Sequence, residues 1–506
     1  MSKQPNIVFI MADQVAAPAL PFYGHPVVKT PNLSALAEES TVFDRAYCNF
    51  PLCAPARYAL LSGRLCSRIE AYDNAAEFKS STPTLVHGLR AAGYQTSLIG
   101  KMHFVGADQL HGYEERLTTE IYPADFSWIP NWGENDARLT FQDMTNVTSA
   151  APAARTMQLD YDEQVAYRTE QKIYDLARSQ DERPFFLTIS FTHPHDPYAP
   201  TPEFWELYDA SEIDPPAAPF VPYEARDKHS QDLYLHYGMD RRLPTEEETM
   251  RARQGYYGSI SYIDHKVGQI IELLKKTGQW DNTILIFTSD HGDMMGERGM
   301  WYKKTFFEWS LRVPLLVRLP TENQPRRVKH SVSHLDLFPT LLEMAGAPEC
   351  TAVPLDGVSL LPYLHNREPA QRPFPRAEYL AEGTWQPQVA MIRDPYKLIL
   401  SENTPPLLFN LDTDPLEQHN LATQPEHADQ LAELLEQAAD EWDLPQLRQQ
   451  IIDDQNGRRL VAKANAEGEP TSWDYEPRQD PSKQFVRGGK WCAVAESNAH
   501  LPATNS

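Results

Sequence analysis

The sequence predicts an α/β protein with a mostly parallel central sheet flanked by helices, a smaller C-terminal antiparallel-sheet subdomain and an extended tail. Three observations lead there. Short apolar runs rich in β-branched residues alternate with segments of helical periodicity, as in a parallel sheet covered on both faces. Each of four such runs ends on a polar cluster containing Asp, Lys or His. Past about residue 375 the order changes to two closely spaced strands and an acidic amphipathic helix.

In order, Asn6–Ala12 is continuously apolar, as expected of a strand buried on both faces. Residues 30–39 read as a helix with Thr30 as N-cap and Pro31 in its first turn. Residues 82–92 read as a helix stopped by Gly93, and 96–100 as a short strand. Phe185–Phe191 is a strand running into THPHDPY. Residues 256–276 carry Ile260, Ile263, Val267, Ile270, Ile271 and Leu274 at helical spacing, stopped by Gly278. Thr283–Ser289 is a strand ending at Asp290. Strands follow at 388–392 and 396–400, then a helix at 428–440. The domain division expected is 1–375, 376–452 and a polar tail, 453–506, which lacks regularly spaced apolar residues.

The polar clusters fall after strands: Asp13, then Lys101 and His103, then His193 and His195, then Asp290 and His291. In open α/β sheets ligands lie outside the carboxyl ends of the strands, so four clusters at four such ends point to one site. The 506 residues carry 46 Lys and Arg against 70 Asp and Glu, a net charge of −24. That excludes nucleic acid or an anionic membrane as the main partner, since either calls for a basic patch. An anionic substrate in a locally basic pocket stays open. Five cysteines, an odd number, argue against a disulfide framework and for a reducing compartment. With no apolar run near ~20 residues and no signal-peptide core before Asp13, a cytoplasmic location is expected. Cys48 and Cys66 match no motif and are expected to be buried thiols, His25 and His265 surface or satisfied core histidines, and Lys304 a solvated neighbour of Lys303.

The most specific segment is Pro51-Leu52-Cys53-Ala54-Pro55-Ala56-Arg57, followed by Ser62-Gly63-Arg64. A proline two residues after the cysteine suits a first helical turn, placing Cys53 at a helix N-terminus that favours an anion or thiolate. C-x-P-x-R followed by S-G-R resembles the signature of type I sulfatases, in which this cysteine is converted to formylglycine. NIVFIMADQ…TPNLSALA, LIGKMH, THPHDPY, FTSDHGDMMGERGMWYKKTFFEWSLRVPL and DGVSLLP match the family's blocks in order. CAPAR, AYDNAAEF, KMHFVGADQLHG and EERLTTEIYPADFSW resemble choline sulfatases in particular. Residues 133–156 and the tail depart from that pattern.

The resemblance implies an alkaline-phosphatase-like fold. It implies one divalent metal held by Asp13, Asp290, His291, Cys53 and the amide of Gln14, where the family often has a second Asp. Carboxylates suit Ca²⁺ or Mg²⁺, while a histidine leans toward Mn²⁺; Ca²⁺ is the first expectation. Arg57 and Lys101 would hold the formylglycine hydrate and Asp290 would activate it. His103 would take up the remaining hydroxyl proton as sulfate departs, and His195 and Lys303 would stabilise and protonate the leaving oxygen. For a quaternary ammonium leaving group, Trp128 and Glu382 would be an aromatic wall and a countercharge, with Trp385 and Trp132 as further candidates. His193 is grouped with these substrate-binding residues, although a supporting or structural role is the reading preferred for it.

The expected reaction is hydrolysis of a small organic sulfate ester, choline O-sulfate first. Another alkyl or aryl sulfate, a phosphonate monoester or a phosphodiester is the rival substrate. A binding-only descendant should have lost Cys53, a metal carboxylate or Lys303, all retained here. A formylglycine-generating maturation enzyme and a homo-oligomer, dimer or tetramer, are the further partners expected. The tail, with Trp473, Tyr475, Phe485 and Trp491, is expected to pack on a neighbouring subunit and help close the pocket, or else to wrap its own.

Overall fold

The computed structural model describes residues 4–134, 142–320, 324–370, 374–467 and 492–502. Its strands are β1 (Asn6–Ala12), β2 (Thr41–Tyr47), β3 (Gln95–Gly100), β4 (Glu115–Arg116), β5 (Ala153–Arg155), β6 (Phe185–Phe191), β7 (Thr283–Ser289), β8 (Arg312–Val313), β9 (Leu315–Arg318) and β10 (Arg326–Ser333). After these come β11 (Arg376–Tyr379), β12 (Gln388–Arg393), β13 (Tyr396–Ser401), β14 (Leu407–Asn410) and β15 (Leu501–Pro502). The main sheet has the order β10-β2-β9-β7-β1-β6-β3-β4, with β8 also paired to β2. From β7 to β4 every pairing is parallel, and β9 is the antiparallel insert. A separate antiparallel sheet, β11-β12-β13-β14, follows.

The apolar run of β1 lies at the middle of the sheet and is buried on both faces. Its register brings Met11 level with Ser190 of β6 and Thr288 of β7, and Ser190 level with Gly100 of β3. The carboxyl ends of these four neighbouring strands therefore open on one line, where the polar clusters emerge. Gly100 has φ +108°, and a Cβ there would lie 1.9 Å from the Ser190 carbonyl oxygen, so only glycine lets β3 end against β6.

Several elements differ in extent from expectation. The first helix runs Pro31–Ala37 and the Thr30 side chain makes no cap bond. The second begins at Leu85, because Thr84 and His87 form a capping box. The long helix starts ten residues early, at Glu246, where Thr245 and Glu248 form another box. Its added turns were hidden by charge: Arg253 is fully buried but pairs with Asp214 and Glu297. The helix Met157–Arg178 and strands β2 and β10 were not anticipated.

Residues 453–466, expected as extended tail, instead continue the helix Leu444–Ala466. Leu447, Ile451, Gln455 and Arg458 form its buried face, and only two of them are apolar. The Gln455 side-chain oxygen accepts the Trp132 backbone N–H at 2.9 Å. Arg458 donates two bonds to the fully buried Asp73, at 2.9 and 2.7 Å. Polar groups that find partners can hold a helix face that hydrophobic periodicity cannot reveal. Trp473, Tyr475, Phe485 and Trp491 lie outside the described residues. No helix among the described residues is long and apolar enough to cross a membrane.

Arg458→Ala leaves Asp73 buried without its partner and should cost about 3–5 kcal/mol in denaturant unfolding. A loss below about 1 kcal/mol would mean the ion pair does not anchor this helix.

Candidate active site

Cys53 is the first residue of the helix Cys53–Ser62, with the sulfur end of the turn facing the strand ends. Asp13, Cys53, Asp290 and His291 are all buried, and each offers a ligand atom within 4.8 Å of the others. The Cys53 Sγ lies 3.3 Å from His291 Nε2 and 4.0 Å from Asp13 Oδ1. His291 Nδ1 is 3.0 Å from the Gly292 carbonyl oxygen, which can only accept a hydrogen. That fixes the proton on Nδ1 and leaves the Nε2 lone pair facing the cluster, the tautomer a metal requires. Burial lowers the histidine's pKa further, against the pull of Asp290. Two carboxylates, a neutral imidazole and residue 53 fit one divalent cation.

One helical turn after Cys53, the fully buried Arg57 holds both carboxylates. Its Nε donates to Asp290 Oδ2 and its Nη2 to Asp13 Oδ2, each at 3.0 Å. Its Nη1 donates to Ser190 Oγ at 2.8 Å and to the Lys101 carbonyl. Lys101 Nζ donates to Asp13. Burial pushes the Asp13 carboxyl up, but Lys101, His195, Arg57 and His291 together outweigh it and hold the group well below the usual carboxylate range. Burial likewise works against the Lys101 charge, and Asp13 more than restores it.

Gln14 takes a part the sequence did not assign. It is not turned to the donors as a ligand: its Oε1 accepts from Lys303 Nζ and its Nε2 donates to Asp293 and Asp196. Lys303 Nζ also lies 2.7 Å from His195 Nε2, while His195 Nδ1 lies 2.7 Å from the Asp196 carbonyl. The imidazole therefore carries its hydrogen on Nδ1 and accepts from the lysine ammonium. His103 is fully buried, and neither ring nitrogen has a partner among the described residues. Burial first, then Lys101 and Arg57, drives its pKa well below the ordinary histidine value, so the ring is neutral. Gln14, His103 and Lys304 all have left-handed backbone, with φ of +70°, +60° and +78°. Such residues persist where the surroundings over-determine them, as at active sites.

A cavity of about 670 Å³ opens above residue 53. Cys53, His103, His195 and Lys303 border it, and so do Trp128 and Glu382. Tyr122, which the sequence reading did not single out, stands at the centre of the aromatic wall. Its ring lies 5.4 Å from that of His103, 5.7 Å from Trp128 and 5.7 Å from His195. Asp196 and Asn74, both inside quoted motifs, also line the cavity. So do Cys492, Glu496 and His500 of the C-terminal segment, whose β15 pairs with β5 of the same chain. In this single chain the segment therefore lies at the cavity rim.

Four expectations are corrected. His193 is turned away from the cavity: its Nδ1 lies 2.7 Å from buried Asp162 and its ring abuts Tyr262, so its role is structural. Trp385 does not border the cavity; it faces Lys228, and its carbonyl accepts from Arg448. Trp132 is core, with its indole N–H on the Ala381 carbonyl. Lys304 is buried rather than solvated, 3.0 Å from both Glu382 Oε1 and His236 Nε2, and it too lines the cavity. Cys48 and Cys66 are buried thiols whose pKa burial raises.

A family model described as sulfatase matches residues 5–347. The chain belongs to the sulfatase family. Its 296–443 segment matches a model of the N-sulphoglucosamine sulphohydrolase C-terminal region, and 449–498 one of the choline sulfatase C terminus. A choline-sulfatase of Rhizobium meliloti (strain 1021) is 42% identical, over 99% of each chain. An arylsulfatase of Clostridium perfringens is 27% identical over 85% of this chain and 92% of the relative. Among solved structures, a phosphonate monoester hydrolase of Agrobacterium radiobacter aligns at TM-score 0.67 with 25% identity, covering 88% of this chain and 96% of that one. This sulfatase is an α/β enzyme of the alkaline phosphatase superfamily and a sulfuric ester hydrolase.

Asp290→Ala removes one of the two carboxylates of the cluster. Divalent-metal affinity, read by equilibrium dialysis and elemental analysis, should fall by more than the roughly 10–100-fold seen for outer partners of a metal site. Unchanged metal stoichiometry would place the ion elsewhere.

Proposed function

We propose that this sulfatase hydrolyses choline O-sulfate to choline and sulfate. The observation that carries the reading is one cavity bordered by both kinds of group. Beside residue 53 its wall carries Lys303, with Lys101 and Arg57 buried behind residue 53 against Asp13 and Asp290. The same wall carries the aromatic faces of Tyr122 and Trp128 and the carboxyls of Glu382, Asp196 and Glu496. An ester with an anionic head and a quaternary ammonium tail finds partners for both ends there. A Glu382 oxygen, Oε2, is buried without a partner among the described residues, which suits a cationic guest.

Asp13, Asp290, His291 and residue 53 would hold one metal, Ca²⁺ first, with Mn²⁺ or Mg²⁺ as alternatives. Such a cation supplies charge neutralisation at a sulfate oxygen. Formylglycine, made from Cys53 by a maturation enzyme, supplies an aldehyde hydrate in place of a thiol. The chain's own groups do the remainder. Asp290, beside residue 53, is the activating base. Lys101 and Arg57 fix the anionic end, and Lys303 with His195 delivers a proton to the leaving oxygen. Neutral, unpartnered His103 is free to take one up. Cytoplasmic location and homo-oligomeric assembly are further parts of this reading, the former supported by five free cysteines.

Intact mass should show a fraction of the chain lighter by the cysteine-to-aldehyde difference, and that fraction alone should turn over. Among substrates, choline O-sulfate should exceed its uncharged isostere 3,3-dimethylbutyl sulfate in kcat/KM by about 10-fold or more, as an aromatic and anionic cage implies. Equal rates would contradict the choline reading. A higher rate on a phosphonate monoester would favour the alternative suggested by the Agrobacterium radiobacter structure.

Burial first, then Asp196, raises Glu496 to about 8. It is protonated below that pH, and only its ionised form attracts a cation. So kcat/KM for choline O-sulfate should rise as pH passes about 8 in the native enzyme, and Glu496→Gln should flatten that rise. An identical profile in the variant would remove Glu496 from substrate binding.

A further inference from the structure

From Lys303 and His195 at the cavity wall, a chain of hydrogen bonds runs back into the interior. Tyr198 Oη donates to Asp293 Oδ2 at 2.7 Å, and Gln14 Nε2 donates to the same oxygen at 2.5 Å. Gln14 Oε1 accepts from Lys303 Nζ, and Lys303 Nζ meets His195 Nε2. Tyr198 and His195, the two ends of this chain of bonds, belong to the same loop after β6. The other Asp293 oxygen accepts the Met295 backbone N–H at 3.0 Å. Asp293, Gln14 and Tyr198 are completely buried and none of them lines the cavity.

A glutamine amide can stand either way round, and the charges around it decide which. Here the NH₂ end faces two carboxylates, Asp293 and Asp196, and the oxygen faces an ammonium. Reversing it would set NH₂ against the ammonium and oxygen against the carboxylates. Asp196 is 3.4 Å away and is also engaged by Gln142 and Asn146, so the short bond to Asp293 dominates.

We propose that Asp293 is a positioning residue for leaving-group protonation: by orienting the Gln14 amide it holds Lys303 Nζ between Gln14 and His195, at the cavity wall. This rests on the role of Lys303 and His195 as proton donors in the proposed function. Gln14 then serves the donor rather than the metal. A carboxylate-to-amide change at Asp293 reverses the logic, because an asparagine side chain in its place can offer NH₂ to Gln14 and stabilise the reversed orientation.

The test uses the metal-loaded, Cys53-converted full chain and two sulfate esters. Choline O-sulfate releases an alkoxide that needs a proton, whereas 4-nitrophenyl sulfate releases a phenolate that does not. Asp293→Asn should lower kcat/KM on choline O-sulfate by about 10–100-fold and on 4-nitrophenyl sulfate by less than about 3-fold, a misplaced donor costing part of the roughly 10²–10⁴-fold of a whole proton-transfer contribution. Metal content should stay unchanged. Tyr198→Phe keeps the Gln14–Asp293 bond and should show a smaller loss with the same leaving-group selectivity. Equal losses on both esters would show a merely structural role, and no loss on either would show that the amide needs no such anchor; both outcomes overturn the proposal. If the native enzyme cleaves phosphonate monoesters and not sulfates, the proposed substrate fails independently. An alkyl and a 4-nitrophenyl phosphonate then make the same comparison for Asp293.

Discussion

One guanidinium ties the structure of this site together. Arg57 is fully buried and donates to Asp13 after β1, Asp290 after β7, Ser190 in β6 and the Lys101 carbonyl after β3. Those are the ends of four neighbouring parallel strands. Burying a cation and two carboxylates is costly unless every group finds partners, and breaking such a set leaves an uncompensated charge in the interior. The helix Cys53–Ser62 delivers this guanidinium and the reactive residue together, since positions 53 and 57 lie one above the other on a helix face. That one side chain ties the strand ends to residue 53, and it adds to the depression of the Asp13 pKa that Lys101 and His195 lead.

Much of this was legible in the sequence for a physical reason. Strands buried on both faces read as unbroken apolar runs, and β1, β6 and β7 appear with the bounds expected. Parallel strands must end on one side, so the clusters after them had to converge. Asp13, Cys53, Arg57, Lys101, Asp290 and His291 do so. What failed to show was satisfied polarity. The extra turns around Arg253 and the face carrying Gln455 and Arg458 read as solvent-facing, because their partners are distant in sequence. The same blindness explains His193, whose partner Asp162 precedes it by about 30 residues, and Lys304, whose partners are Glu382 and His236. Tyr122 lay inside the quoted EERLTTEIYPADFSW without being singled out, and Glu496 lacked any local signal; the fold brings both to the cavity.

The acidic overall balance and the cationic catalytic end are compatible because they occupy different places. The chain's charge is −24, yet Lys303 and Lys304 border the cavity, and Lys101 and Arg57 lie buried behind residue 53. In the proposed reading, the carboxyls that border the cavity, Glu382 first, would disfavour anionic leaving groups and favour a cationic one. Lys304 tempers this by occupying one oxygen of Glu382, which leaves the other for a guest.

The most direct measurement is an anomalous-difference map from crystals of the converted enzyme grown with Mn²⁺. The site described here requires one peak, about 2.0–2.4 Å from oxygens of Asp13 and Asp290 and from His291 Nε2, with residue 53 completing the set and Gln14 still on Lys303. A peak elsewhere, a second metal, or Gln14 turned from Lys303 into the coordination shell would contradict it.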